Sequence, residues 1–235
     1  MISLPTQVLE ITGADAAAFA HAQFCNDVLT LPDGHWQWNA WLSPQGRVRA
    51  FFRLLRIDAD NLLLTLRGGD AEWLRAELAR YVFRAKVQLR AVNETTPGPA
   101  PAYSPLADIR AGIPEIGVEL HDRLLPQWLG LDRLGAVCVN KGCYPGQEIM
   151  ARLHFKGGNK RSLYRLRWPG NALVQPGTLL RDPGGSEAGV IVTAAPDAEA
   201  DNVEALASIS NSAADAALAL DSPTTCAVGI VQRFA

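Results

Sequence analysis

The chain has 235 residues, 48% of them hydrophobic and 20% charged, with a formal net charge of -2. That length allows one large domain or two smaller ones with a sizeable core. The near-neutral charge excludes a polycation that coats nucleic acid over its whole surface.

"MISLPTQVLEITG" has neither a charged start nor a long apolar run, so no signal peptide is expected. No apolar stretch approaches the ~18 residues of a transmembrane helix, so no membrane partner is expected. "TQVLEI" alternates as a first strand, and "GADAAAFAHAQF" reads as a helix from about Asp15 to Phe24, with Thr12 as its cap. "HWQWNAWL" is a strand with Trp36 and Trp38 on one face. "SPQG" is a turn, and "RVRAFFRLLRI" and "NLLLTLR" are two more strands. "GGDAEWLRAELARYVF" is an amphipathic helix with Trp73, Leu74, Leu78 and Tyr81 on one face, and "KVQLRAV" is a further strand. The order strand, strand, strand, helix, strand over Trp36 to Val92 places this part in the α+β class.

"TTPGPAPAYSP" (95–105) is a Pro-rich crossing loop, with a short helix starting at Pro105. After Lys160 come short strands, "RSLYRLRW", "TLLRD", "EAGVIVTAA", "VEALASIS" and "CAVGIVQRF", as in a small antiparallel barrel or sandwich. "NSAADAALALD" fits either a helix or a strand. From Ile149 to Leu180 there is no acid, and from Asp182 to Gln232 no Lys or Arg, which suggests two units with different surfaces. Arg152, Lys156 and Lys160 to Arg167 form a basic block that reads as a solvated face or an RNA contact, and Arg47, Arg49, Arg53 and Arg56 read as the wet side of strands.

Four cysteines at 25, 138, 143 and 226 are few and irregularly spaced, which fits a reduced, cytoplasmic setting. The sequon at Asn93 then carries no meaning. Cys138 and Cys143 lack metal-site spacing, so no metal is expected.

"NKGCYPGQEIMAR" (140–152) is the stretch that carries chemistry. Pro145 suits a first helical turn, and Glu148 and Arg152 are spaced to pair on that helix. Lys141 and the helix N-terminus would both lower the pKa of Cys143 below the free value of about 8.5. A catalytic cysteine also needs a base, and His154 is the histidine nearest in sequence. A buried structural cysteine in a glycine-rich turn is an equally open reading of these residues.

"KGCYPGQEIMAR" resembles the signature of the YgfZ-type folate-binding, tRNA-modifying proteins, relatives of the glycine-cleavage T-protein, an aminomethyltransferase. "ITGADAAAFAHAQFCNDV", "SPQGRV", "RYVFRAKV", "AGIPEIG" and "GGNKRSLYRL" are similar to the family in the same order, over most of the first 170 residues. The resemblance implies a GcvT-like folate-binding α+β fold: a folate-binding region over 1–160, with a ferredoxin-like module at about 35–95, then a short β-barrel over 161–235. It implies tetrahydrofolate or a derivative as cofactor. It also implies a role in assembling or repairing iron–sulfur clusters in client enzymes, including tRNA-modifying ones, with tRNA reached through those clients. Carried over by position, Lys141 and Cys143 are the candidate catalytic pair. Asn26, Asp27, Arg84, Tyr144, Gln147, Glu148 and Arg152 are the candidate cofactor-binding residues.

Three departures stand out. The T-proteins carry an Asp-Asp pair where this chain has Arg49 and Ala50, and tend to have Glu where it has Arg110. Cys25 also replaces a common Thr. Without the carboxylate pair, a folate-dependent one-carbon transferase or demethylase becomes the alternative function, and an accessory role without classical turnover the first.

Overall fold

The computed structural model describes residues 7–92, 104–221 and 226–234. Asn93 and most of the Pro-rich loop expected over 95–105 lie outside them. The chain divides into two compact units. The first comprises Met1–Pro99, Ile116–Arg123 and Gly135–Lys156; the second comprises Ala100–Glu115, Leu124–Leu134 and Gly157–Ala235.

The first unit is a five-stranded antiparallel sheet with helices α1 (Ala16–Gln23) and α2 (Ala71–Ala79) on one face. Its strands β1 (Val8–Thr12), β2 (Trp36–Leu42), β3 (Val48–Arg56), β4 (Asn61–Leu66) and β5 (Gln88–Val92) lie in the order β2-β3-β4-β1-β5. Leaving β2 aside, the chain runs β1-α1-β3-β4-α2-β5 with β1 central, which is the βαββαβ order of a ferredoxin-like module; β2 extends it at one edge. Alternation decides which side chains meet the helices. Leu9, Ile11, Ala50, Phe52, Leu54, Leu62, Leu64 and Leu66 turn one way. They pack with Phe19 and Ala20 of α1 and with Leu74 and Leu78 of α2. Register keeps this set in phase, with Leu9 opposite Leu64 and Ile11 opposite Leu62.

Local chemistry differs from expectation at three points. Thr12 is the last residue of β1, paired with Asn61 and Gln88, and the helix enters through Asp15 without a side-chain cap. Tyr81 falls beyond α2, because the helix ends at Ala79; Asp70 caps its start, accepting from the Trp73 N–H at 2.8 Å. Helix α4 spans Gln147–Lys156, so Pro145 precedes it. Pro145 and Gly146 are the two central residues of a turn closed by Gln147 N–H donating to the Tyr144 carbonyl at 3.2 Å, with Gly146 at φ +79°. Proline first and a positive-φ glycine second is the type II pattern.

In the second unit, α3 (Pro105–Ala111) accompanies a closed barrel. Strands β6 (Arg161–Pro169), β7 (Leu179–Arg181), β8 (Glu187–Asp197), β9 (Asn202–Ser210), β10 (Leu218–Leu220) and β11 (Ala227–Phe234) run in the order β10-β11-β6-β9-β8-β7, and β7 pairs back to β10. The ambiguous alanine-rich segment therefore ends in a strand. Inside the barrel sit Leu166, Trp168, Leu180, Ile191, Val203 and Ile209. Glu204 of β9 is fully buried and faces three arginines: Arg110 at 2.9 Å, Arg165 at 3.4 Å and Arg167 at 3.5 Å. Arg110 also meets Asp197 at 2.6 Å. Arg161, Arg165 and Arg167 of the basic block are thus ion-paired strand residues, not a free cationic face.

Candidate functional site

Within the first unit, the signature loop lies against the end of α1. A helix ends with carbonyls that lack intrahelical partners and with partial negative charge. Lys141 supplies what they lack. Its Nζ donates to the His21 carbonyl, to that of Phe24 at 2.6 Å and to that of Asn26 at 3.3 Å. It also lies 5.0 Å from the centre of the Tyr144 ring, a cation–π contact. Burial pushes the Lys141 ammonium down to about 8, opposed by Cys25, Asp27 and Cys138. The charge expected beside Cys143 is therefore directed at α1. Cys143 is exposed, and no ion pair or hydrogen bond joins it to Lys141.

Beyond α1 the chain is held from several sides. Cys25 is fully buried; its N–H donates to the Ala40 carbonyl at 3.0 Å, and its carbonyl accepts from Cys138 N–H at 2.8 Å. Burial pushes its thiol up to about 12, which makes it inert. Asn26 Nδ2 donates to the carbonyls of Trp38 at 2.9 Å and Gly135 at 2.8 Å. Asp27 Oδ1 accepts from the N–H groups of Leu29 at 3.0 Å and Thr30 at 3.3 Å, and its carbonyl accepts from Gln37 Nε2 at 3.0 Å. Asp27 Oδ1 also lies 3.2 Å from His21 Nδ1. Gln147 Nε2 donates to the Lys141 carbonyl at 3.2 Å.

Of the sequence-predicted residues, the fold thus brings together Lys141, Asn26, Asp27, Tyr144 and Gln147, with Cys143 beside them in the chain. Glu148 and Arg152 are exposed on α4 and form no ion pair with each other. Arg84 is exposed on the loop between α2 and β5, and no hydrogen bond or ion pair joins it to the group. His154 is exposed far along α4, with its ring edge-on to Phe155 at 5.1 Å.

The turn holding Gly146 packs on the Ser43–Gly46 turn between β2 and β3. A Cβ at Gly146 would stand 2.5 Å from the Ser43 carbonyl oxygen and 2.7 Å from Gly46 Cα. The "SPQG" and "YPGQ" segments, a hundred residues apart in sequence, are one contact in space.

The sheet face turned away from the helices carries a cleft of about 350 Å³ lined by Gly34, Trp36, Arg53, Leu55 and Ile57, within the size range of small-molecule sites. The Arg53 guanidinium lies 4.3 Å from the Trp36 ring centre, Trp36 meets Trp38 edge-on at 5.5 Å, and Trp38 stacks on Phe51 at 5.0 Å. Arg53 Nε is buried without a hydrogen-bond partner, and burial lowers the pKa of the guanidinium. An aromatic shelf beside a guanidinium can take a flat ring and an anion. Through Asn26 to Trp38 and Asp27 to Gln37, the cluster at α1 holds the same strand that supplies the tryptophans.

Arg49 is aimed elsewhere. A bulge in the β2–β3 pairing sets Trp41 opposite Ala50 and Leu42 opposite Val48, leaving Arg49 unpaired in the ladder. Its guanidinium lies 4.4 Å from the Trp41 ring, 3.0 Å from Glu77 and 3.3 Å from Asp122. Ala50 is in the core. Neither position offers an acid.

No protein-family profile matches the sequence. A Haemophilus influenzae protein described as uncharacterized is 25% identical over 194 residues, 67% of this chain and 69% of that protein. The tRNA-modifying protein YgfZ of Cronobacter sakazakii is 44% identical over 70 residues, 30% of this chain and 21% of that protein's length. Among solved structures, the glycine cleavage system aminomethyltransferase T of Bartonella henselae superposes with a TM-score of 0.65 at 14% identity, over 97% of this chain and 83% of the other. The chain thus shares a YgfZ-like stretch of sequence with one protein and its fold with aminomethyltransferase T.

Proposed function

We propose that the protein binds tetrahydrofolate or a derivative in the Trp36–Arg53 cleft and serves as an accessory factor in the assembly or repair of iron–sulfur clusters. Its clients include tRNA-modifying enzymes. The observation that carries the reading is the cleft itself. Folate joins an aromatic pterin to an anionic glutamate tail, and the cleft offers indole rings for the first and the Arg53 guanidinium for the second. The fold match to aminomethyltransferase T and the YgfZ-type stretch support the same ligand class.

Lys141, Asn26, Asp27, Tyr144 and Gln147 form the frame beside the cleft, and Cys143 is its exposed thiol. An aminomethyl transfer needs a group that handles the proton at the folate amine. Arg49 is paired with two acids and Ala50 is apolar, so the accessory role is favoured over turnover. In a deletion strain of a bacterium bearing a homologue, the wild-type chain is expected to restore the activity of cluster-dependent tRNA-modifying enzymes. Cys143→Ala is expected to fold and fail to do so; full rescue by that variant would contradict the role of the thiol. Formation of methylenetetrahydrofolate from an aminomethyl donor would instead establish the transferase reading.

A further inference from the structure

We infer that the loop between α2 and β5, residues 80–87, is a platform for single-stranded nucleic acid. Phe83 stacks on a base, and Arg84 and Lys86 meet the phosphates. The inference rests on neither the cleft nor Cys143.

Packing sorts the side chains of this loop. Val82, Ala85 and Val87 are partly buried against the core of the first unit. Tyr81, Phe83, Arg84 and Lys86 are exposed between them. Phe83 is 92% exposed, the highest value for a large apolar side chain among the described residues. A lone exposed phenylalanine calls for no explanation, but this one stands on a fixed backbone between cations. Lys86 N–H donates to Asp15 Oδ2 at 2.7 Å, and Asp15 N–H donates to the Lys86 carbonyl at 3.4 Å. A Cβ at Gly13 would stand 2.1 Å from the Lys86 carbonyl oxygen, so the turn before α1 seats the loop directly. Val82 N–H donates to the Ala79 carbonyl at 3.2 Å, and Val87 N–H to that of Ala85 at 2.9 Å. The exposed ring and its flanking charges are thus held in place before any ligand arrives, which lowers the ordering cost of binding.

From Leu78 to Asn93 the chain carries Arg80, Arg84, Lys86 and Arg90 and no acid. Arg80 is paired with Glu77 at 3.3 Å, and Arg90 with Glu10 at 2.6 Å. Neither the Arg84 nor the Lys86 side chain has an ion-pair partner among the described residues. The basic block after Lys160 differs, because Arg161, Arg165 and Arg167 meet Glu187 and Glu204. Fixed, unpaired cations attract a polyanion, and the exposed ring selects among polyanions. A nucleobase has a π-face that stacks on phenylalanine or on a guanidinium plane, whereas an acidic peptide without aromatic residues has none. Stacking needs bases free of a duplex, which favours a single strand.

The test is fluorescence anisotropy of labelled oligonucleotides of about 12 residues, RNA and DNA of one mixed sequence, titrated with the full chain from about 50 to about 200 mM salt. The wild type is expected to bind a single strand more tightly than the matching duplex, and the tighter of the two single strands names the source. Phe83→Ala should weaken binding about tenfold at every salt concentration. Arg84→Gln should weaken it and lower the slope of log K against log salt by about 0.7. Lys156→Gln, on exposed α4, should change neither. Phe83 and Arg84 are exposed, so circular dichroism should be the same in all variants. Absence of saturable binding at the lowest salt would overturn the inference. So would binding that Phe83→Ala leaves intact, a duplex bound as tightly as the single strand, or full displacement by poly-glutamate at equal charge. Loss in Lys156→Gln without loss in Arg84→Gln would overturn it by moving the contact to α4.

Discussion

Lys141 carries a full charge, yet its energetics are those of a helix cap. Three carbonyls at the end of α1 receive its ammonium in a buried setting, and that setting pushes its pKa down from 10.5 to about 8. Between those values the folded protein has released a proton that the unfolded chain keeps, so stability contributed at this residue rises with pH across the window. Denaturation of the wild type and Lys141→Met from pH 7 to 10.5 is expected to show the wild type gaining relative to the variant. A constant difference would contradict a depressed Lys141. Gly146 makes a second case: at φ +79° and with the Ser43 carbonyl where a Cβ would go, Gly146→Ala should cost about 1–3 kcal/mol in urea denaturation. A loss under half a kcal/mol would mean that the two turns separate easily.

At the scale of elements, most of the fold was legible, because strands with one buried face alternate and an amphipathic helix repeats every three to four residues. The strands of both units, α2 and the start of α3 at Pro105 follow those patterns. What the sequence conceals is where an element's side chains are sent. Pro145 does not open α4, because proline is as good in a type II turn as in a first helical turn, and only the glycine after it discriminates. The aim of Arg49 depends on a bulge that no periodicity announces. Lys141 and Cys143 looked like a pair at two residues' distance, but the true partners of the lysine lie up to 120 residues away. The alternation of Trp36 and Trp38 was readable, whereas Arg53 joins them only once β3 is registered opposite β2.

Arg110 shows the same limit in the second unit. It occupies a position where a resemblance to T-proteins suggests an acid, and it is spent on Glu204 and Asp197 of the barrel. Because Glu204 is fully buried among Arg110, Arg165 and Arg167, removing it leaves charges uncompensated. Glu204→Ala is expected to cost about 3 kcal/mol or more in thermal unfolding. A change below one kcal/mol would show that solvent meets the arginines' needs.

Over the whole molecule, a fold shared with aminomethyltransferase T across 97% of the chain coexists with only 14% identity. Arg49 and Ala50 stand where the resemblance to T-proteins suggests an acid pair, and Trp36, Trp38 and Arg53 furnish a stacked, cationic cleft. The account therefore stands or falls on a ligand held by those rings and that guanidinium, with or without turnover. Calorimetric titration of the full chain with tetrahydrofolate under anaerobic conditions tests it most directly. The account predicts saturable binding, weakened about tenfold or more by Trp36→Ala and by Arg53→Gln, with no loss in Arg84→Gln. Absence of heat at millimolar ligand, or binding that both cleft variants leave intact, would contradict it.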